Sequence, residues 1–191
     1  MTTIWKGVSS RGLRILARWR FLTGVCTLLL SACSVGREHT SDRVLEERFS
    51  QYEKEFEAFR AEIEADEKFE LIGIGELRYA GTELEEPVGL SDVERLGLPR
   101  ERWERYQSLL RELGIAQVIK GKSSVEFKVD GESISNGSSS KGYEYSLVPP
   151  EHQRESLDSY RISDEDKDKF GGYYVAKPLK GNWYLYLFVN G

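Results

Sequence analysis

Cys33 is the residue of this sequence whose surroundings best suit a chemical reaction. It follows a basic segment (residues 1–20), ten mostly apolar residues (21–30) and the small residues Ser31 and Ala32. An apolar run of this length is too short to span a bilayer, which takes roughly 20 residues, but it is typical of the core of an export signal. The stretch therefore predicts a signal peptide that ends near Cys33, whose thiol is a strong nucleophile.

The sequence Leu-Ser-Ala-Cys over residues 30–33 resembles the lipobox of bacterial lipoproteins. The resemblance covers residues 1–34 only. It implies transfer of a diacylglyceryl group to the Cys33 thiol, cleavage of the signal between Ala32 and Cys33, and acylation of the new amino terminus. Several acyl chains together anchor a protein stably, whereas one chain is marginal. In a Gram-negative cell, Ser34 in place of aspartate after the cysteine implies the periplasmic face of the outer membrane.

The sign of the net charge changes at the same position in the chain. Residues 1–32 contain five bases and no acid, whereas residues 33–191 contain 22 bases and 32 acids and carry a net charge of −10. A strongly acidic chain does not attract nucleic acid, whose phosphates are neutralised by Lys and Arg, nor does it adhere to anionic lipid. Because Cys26 leaves with the signal and Cys33 is modified, no thiol remains for a disulfide or a metal. We expect the lipid to make the membrane contact, and we expect no nucleic-acid partner.

Other candidate catalytic or metal-binding residues lack the spacing, or the partner residues, that such sites require. Ser138 and Lys141 are spaced as in penicillin-recognising serine enzymes, but they lie in a glycine-flanked loop and the partner motifs are missing. Three aspartates within residues 164–168 match the first ligands of a calcium loop, but its glycine and final glutamate are absent. His39 and His152 are far apart in sequence, and no Ser–His–Asp arrangement is indicated. We therefore expect no catalytic residue, no metal and no cofactor.

Residues 41–68 predict an acidic amphipathic helix that follows a short tether, residues 33–40. Apolar residues recur every three or four positions and keep one face apolar for about five turns. They are Leu45, Phe49, Tyr52, Phe56, Phe59 and Ile63. The helix either packs on the domain or reaches outward to a partner helix. Packing is favoured, because Leu and Ile suit a coiled-coil seam better than large aromatic rings do.

Residues 69–191 predict a domain in which short helices precede strands. Residues 99–114 have helical spacing, whereas the apolar residues that follow alternate with polar ones. Hairpins are expected around Gly121 and Gly181, and the glycine- and serine-rich residues 136–142 are expected to form a flexible loop. Helices followed by strands indicate an α+β fold with an antiparallel sheet of about five strands.

Aromatic residues are concentrated in the last third of the sequence. Within residues 183–189, Trp, Leu and Val alternate with Tyr and Phe, so both faces of the predicted strand are apolar or aromatic. One interpretation is a central strand buried on both faces, because most large apolar residues are interior. The other is an exposed aromatic face that binds a glycan or a protein, since rings with polar edges suit both ligands. The candidate residues for that face are Tyr143, Tyr145, Tyr184 and Tyr186.

These patterns indicate a lipid-anchored protein of the cell envelope that binds or assembles with another envelope component and is not an enzyme. The inference depends on the signal and on the lack of a credible catalytic set. The alternative is an envelope hydrolase with a carboxylate pair, which the sequence does not single out among 32 acids. A third class is a lipoprotein whose acidic helix, residues 41–68, pairs with a helix of a partner.

Overall fold

The structure, a computed structural model, describes residues 39–80, 93–94, 96–134, 137–160 and 172–190, the side chains of 132–134 excepted. The predicted signal peptide, Cys33 and the aspartates of 164–168 lie outside these residues, as does most of the tether 33–40. The predictions made for them therefore remain predictions.

The described residues include two helices and seven strands. The helices are α1 (Asp42–Ala65) and α2 (Arg100–Leu113). The strands are β1 (Phe69–Gly73), β2 (Glu76–Tyr79), β3 (Gln117–Lys120), β4 (Ser124–Ile134), β5 (Gly137–Ser146), β6 (Tyr173–Lys180) and β7 (Trp183–Asn190).

The seven strands form one antiparallel sheet in the spatial order β2-β1-β3-β4-β5-β7-β6. The α+β class with an antiparallel sheet is thereby confirmed, but the sheet has seven strands and not about five. The two additional strands are β1 and β2, which precede α2 and therefore lie before the region in which strands were predicted. They pair around Gly75, which has a φ of 73°, a left-handed conformation that glycine adopts without steric cost.

The apolar stripe of α1 is buried in the same hydrophobic core as the sheet, as the packing interpretation expected. Its buried members are Leu45, Phe49, Phe56, Phe59 and Ile63. The helix is shorter than the predicted residues 41–68, and it is not one regular helix. Tyr52 has non-helical backbone angles (φ −118°, ψ 25°), which kink α1 at the one stripe residue that is only half-buried.

α2 lies beside α1 and ends where the sequence predicted. Its capping residue Gly114 has a φ of 63°, and its N–H bonds to the carbonyls of Leu110 and Arg111. The ring of Tyr106 lies 5.5 Å from that of Phe59 in α1, measured between centroids. The two helices thus share one core on the same side of the sheet.

Aromatic side chains fill the space between α1 and the sheet. The Phe56 ring lies 4.7 Å from Tyr143 of β5, and the Phe49 ring lies 5.2 Å from Trp183 of β7. Phe127 of β4 completes the cluster at 5.4 Å from Trp183. Tilted and edge-on ring pairs at these separations are favourable beyond the apolar area that they bury.

Residues 137–142, predicted to be a flexible loop, are instead part of β5. This strand pairs with β4 on one side and with β7 on the other along most of its length. Glycine and serine have low intrinsic strand propensity, but pairing on both sides supplies the hydrogen bonds that the local sequence does not favour. The loop prediction was therefore wrong because tertiary context overrode composition.

A buried ion network fixes the start of α1 on the sheet. The Lys141 ammonium, on a side chain that is 2% exposed, lies 2.7 Å from Asp42 Oδ1 and 2.6 Å from Asp158 Oδ1. The Asp42 N–H donates to both Asp158 oxygens, and the Leu157 N–H donates to Asp42 Oδ2. Burial raises the pKa of Asp42, but Lys141 and the Leu157 N–H outweigh it, and the pKa is lowered. The network joins α1, β5 and residues 157–158.

We expect Lys141→Met to lower the free energy of unfolding by about 3 kcal/mol or more, because the buried Asp42 loses its buried partner cation. Urea unfolding measures the loss. Lys180→Met is the matched control, because the Lys180–Glu53 pair is largely exposed and should contribute less than about 1 kcal/mol. Equal losses in the two variants would show that burial does not strengthen the Lys141 pair.

Candidate functional site

The four tyrosines of the predicted binding face do not share one face of the sheet. Tyr143 lies opposite Leu185 and faces α1, and Tyr145 lies on the same side opposite Trp183. Tyr184 and Tyr186 alternate with these residues along β7 and so face the other side of the sheet. Tyr143, Tyr184 and Tyr186 are buried, and only Tyr145 is half-buried. The expectation of an exposed aromatic face is therefore corrected, because these rings belong to two buried layers.

A pair of carboxylates lies on the side of the sheet away from α1. Glu126 of β4 and Glu144 of β5 are directly opposite each other in the strand pairing. Such neighbours have Cβ atoms about 5 Å apart, so two negative charges there repel each other. The Tyr174 hydroxyl donates to Glu144 Oε2, and the Tyr174 ring stacks on Tyr186 with centroids 6.0 Å apart. The sequence could not single out this pair among so many acids.

Burial raises the pKa of both carboxyl groups. It is the larger cause for Glu126, Glu144 adds its negative charge, and Lys128 acts in the opposite direction, so the pKa of Glu126 rises from 4.5 to about 7. Burial also raises the pKa of Glu144, although hydrogen bonds from Tyr174 and Ser124 lower it. Glu126 is thus about half protonated at neutral pH.

A carboxyl with such a pKa can act as a general acid or can simply remain neutral inside a fold. Glu144 is 7% exposed and accepts the Tyr174 hydroxyl, and the Tyr174 phenol has a pKa raised by burial and by the Glu144 charge. These are the features of a buried polar network whose members satisfy one another. The arrangement therefore favours a structural role for this pair.

A second group of polar side chains lies on the α1 side of the sheet, beside the start of α1. His39 Nδ1 is hydrogen-bonded to Asp130 Oδ1, and His39 Nε2 lies 3.0 Å from Ser139 Oγ. The Thr40 N–H donates to Asp130 Oδ2 at 2.8 Å. The three side chains are half-buried. The structure thus brings together a serine, a histidine and a carboxylate that no sequence pattern associates.

Three elements position this group. Asp130 follows an irregularity in the β4–β5 pairing and lies opposite Lys141, so it points to the α1 side. Ser139 lies two residues before Lys141 on β5 and therefore shares that side. His39 is held over both because the ion network of Lys141 fixes Asp42 three residues further along the chain. Sequence reasoning missed the group because His39 is separated from Asp130 by 91 positions and from Ser139 by 100.

The described residues contain no group of three or more His, Cys, Asp or Glu side chains that could hold a metal ion. No helix among them is long and apolar enough to cross a membrane. Comparisons with protein-family models, with curated proteins and with solved structures found no match to this chain.

We expect the protein to lose stability as the pH rises, because the pKa of Glu126 is higher in the folded protein (about 7) than its ordinary value of 4.5. The folded state binds the proton more tightly than the unfolded state does, so protonation of Glu126 stabilises the fold. This stabilisation is complete below the pKa of the unfolded chain, and it is lost as the pH rises through the pKa of the folded protein. Between about pH 5 and pH 8 the free energy of unfolding should fall by about 2.5 kcal/mol through this group. Glu126→Gln should remove that part of the pH dependence, as measured by urea unfolding.

Glu101→Gln on the exposed side of α2 is the control for this measurement and should keep the wild-type pH dependence. If Glu126→Gln loses as much stability as the wild type between the two pH values, Glu126 is not the group that titrates.

Proposed function

We propose that this protein is a lipid-anchored component of the cell envelope that binds or assembles with another envelope protein. The lipobox-like residues 30–33 support the anchor. The acidic composition of the remaining chain supports a membrane contact made by the lipid and not by a basic surface. In a Gram-negative cell the proposed location is the periplasmic face of the outer membrane.

The observation that carries this proposal is the short stretch of chain between Cys33 and the folded domain. His39 and Thr40 are already fixed to Asp130 by hydrogen bonds, and His39 is only six positions after Cys33. Six extended residues span about 20 Å. A lipid on Cys33 would therefore hold this end of the sheet within that distance of the bilayer surface, where other anchored proteins are within reach.

Leu147 and Val148 are the proposed contact for the partner. They follow β5 directly, at the opposite end of that strand from Ser139, and are 67% and 64% exposed. Adjacent exposed aliphatic side chains suit a protein surface, whereas glycans are bound mainly by exposed aromatic rings. Because Tyr184 and Tyr186 are buried, a protein partner fits better than a glycan.

Among the described residues, the alternative of a hydrolase with a carboxylate pair has a candidate in Glu126 and Glu144, which lie directly opposite each other on β4 and β5. The hydrogen bond from Tyr174 to Glu144 and the 7% exposure of Glu144 argue for a structural pair. We therefore prefer the binding role to this alternative.

Cys33→Ser should move the protein from the membrane fraction to the soluble periplasmic fraction, because a hydroxyl does not take the diacylglyceryl group. Cell fractionation with immunoblotting detects the change. Cys26→Ser is the matched control and should stay in the membrane fraction, since Cys26 lies within the predicted signal. An unchanged membrane fraction for Cys33→Ser would rule out the anchor.

A photo-crosslinking amino acid at Leu147 should give a discrete adduct of higher mass in intact cells, because the partner covers this position. The same amino acid at Glu104, which is exposed on α2, should give none. If position 147 gives no adduct, or if both positions give the same pattern, the contact does not lie at Leu147 and Val148.

A further inference from the structure

We infer that Ser139, His39 and Asp130 form a nucleophilic site that transfers the acyl group of a small, activated ester to water. Ser139 is the nucleophile, His39 moves the proton, and Asp130 positions the histidine ring. This inference does not depend on the lipid anchor or on the binding partner. An active site here would overturn the expectation from the sequence that the protein is not an enzyme.

The Asp130 carboxylate determines which ring nitrogen of His39 carries the proton. An ionised carboxylate can only accept hydrogen bonds, so the Nδ1 atom that it contacts must carry a proton. In the neutral ring, Nε2 is then a free acceptor, and it faces the Ser139 hydroxyl at 3.0 Å. This is the tautomer and the distance that general-base activation of a serine requires.

Hydrogen bonds to both carboxylate oxygens fix the orientation of the Asp130 side chain. Its second oxygen accepts the Thr40 N–H at 2.8 Å, so both oxygens have defined partners. Burial raises the pKa of Asp130, but the hydrogen bonds from His39 and Thr40 outweigh it, and the pKa is lowered. The carboxylate therefore remains charged and can stabilise the imidazolium that forms when His39 takes a proton.

The reaction balances with water as the only second substrate. The Ser139 oxygen bonds to the ester carbonyl carbon while its proton passes to His39 Nε2. The carbon–alkoxide bond then breaks, and the alcohol leaves with that proton. A water molecule next gives a proton to His39 and bonds to the acyl carbon, the bond to the Ser139 oxygen breaks, and the carboxylic acid is released with Ser139 protonated again.

The surroundings of Ser139 define the class of ester. The side chains of His39 and Asp130 are 21% and 30% exposed, so a small molecule can reach the group. Ser139 lies inside a strand that is paired on both sides, with Glu132 and Val189 opposite it, so its main-chain N–H belongs to the sheet and does not serve the oxyanion. Esters with a good leaving group need the least oxyanion stabilisation and are the expected substrates.

A fluorophosphonate probe applied to the full chain tests the site directly. Such a probe bonds its phosphorus to an activated serine oxygen and releases fluoride, and peptide mass spectrometry then locates the label. The expected label is on Ser139. Ser139→Ala should abolish labelling, and His39→Gln should slow it by about 100-fold, because a general base typically contributes that much.

The chain provides matched controls on the same strand. Ser138 and Ser140 flank Ser139 on β5 and point to the opposite side of the sheet. Ser138→Ala and Ser140→Ala should therefore be labelled at the wild-type rate. Thermal unfolding of each variant separates loss of the nucleophile from loss of the fold.

The positioning role of Asp130 has its own readout. The chain contains only two histidines, His39 and His152, so ring-proton NMR signals are easily assigned. A downfield Nδ1 proton is expected for His39 because the carboxylate accepts it. Asp130→Asn should remove that signal, leave His152 unchanged, and slow labelling at Ser139 by at least about tenfold.

No labelling of the wild type, equal labelling of Ser139→Ala, or an unchanged rate in a folded His39→Gln variant would overturn the site. Each of these results leaves the anchor untouched, because fractionation of Cys33→Ser tests the anchor separately. Conversely, labelling at Ser139 together with an unchanged membrane fraction for Cys33→Ser would support the nucleophilic site and overturn the proposed anchor.

Discussion

The buried ammonium of Lys141 is the constraint on which the placement of α1 depends. A charge inside a protein must be paired, and Lys141 is paired with Asp42 at the first residue of α1 and with Asp158 on the segment after β5. Other contacts then follow in order along the same side of β5 as α1 passes over it. They join Ser139 to His39, Tyr143 to the carbonyl of Leu45, and Tyr145 to the guanidinium of Arg60. One ionic contact thus sets the position of the helix along the strand.

The two sides of the sheet are stabilised in different ways. On the α1 side, aromatic rings from the helix and from β4, β5 and β7 exclude water through tight packing. On the other side, the Tyr174 hydroxyl bonds to the buried Glu144, and the half-buried Glu126 lies directly opposite Glu144, so that two negative charges there repel each other. Protonation of Glu126, whose pKa is raised to about 7, relieves that repulsion. The strict alternation of side chains along β4 and β5 keeps these environments separate.

Local pattern was enough to predict the fold class, the buried stripe of α1 and the β3–β4 and β6–β7 hairpins, because each follows from periodicity or turn residues within a short window. Residues 137–142 could not be predicted in the same way, since their strand depends on partners about 50 residues away in β7. The group of His39, Asp130 and Ser139 could not be predicted from the sequence for the same reason. His39, Asp130 and Ser139 meet only after the whole sheet and the start of α1 are in place.

The position of β7 determines when this fold can form. β7 follows every other described strand in sequence, yet it lies inside the sheet, between β5 and β6. It also supplies Trp183, whose ring contacts Phe49, Phe56 and Phe127 in the core. A chain that emerges from its N-terminus cannot close this core until residues 183–190 have emerged. Closure of this sheet must therefore wait until residues 183–190 are present, and until then the β5 edge is unpaired and open to association with other chains.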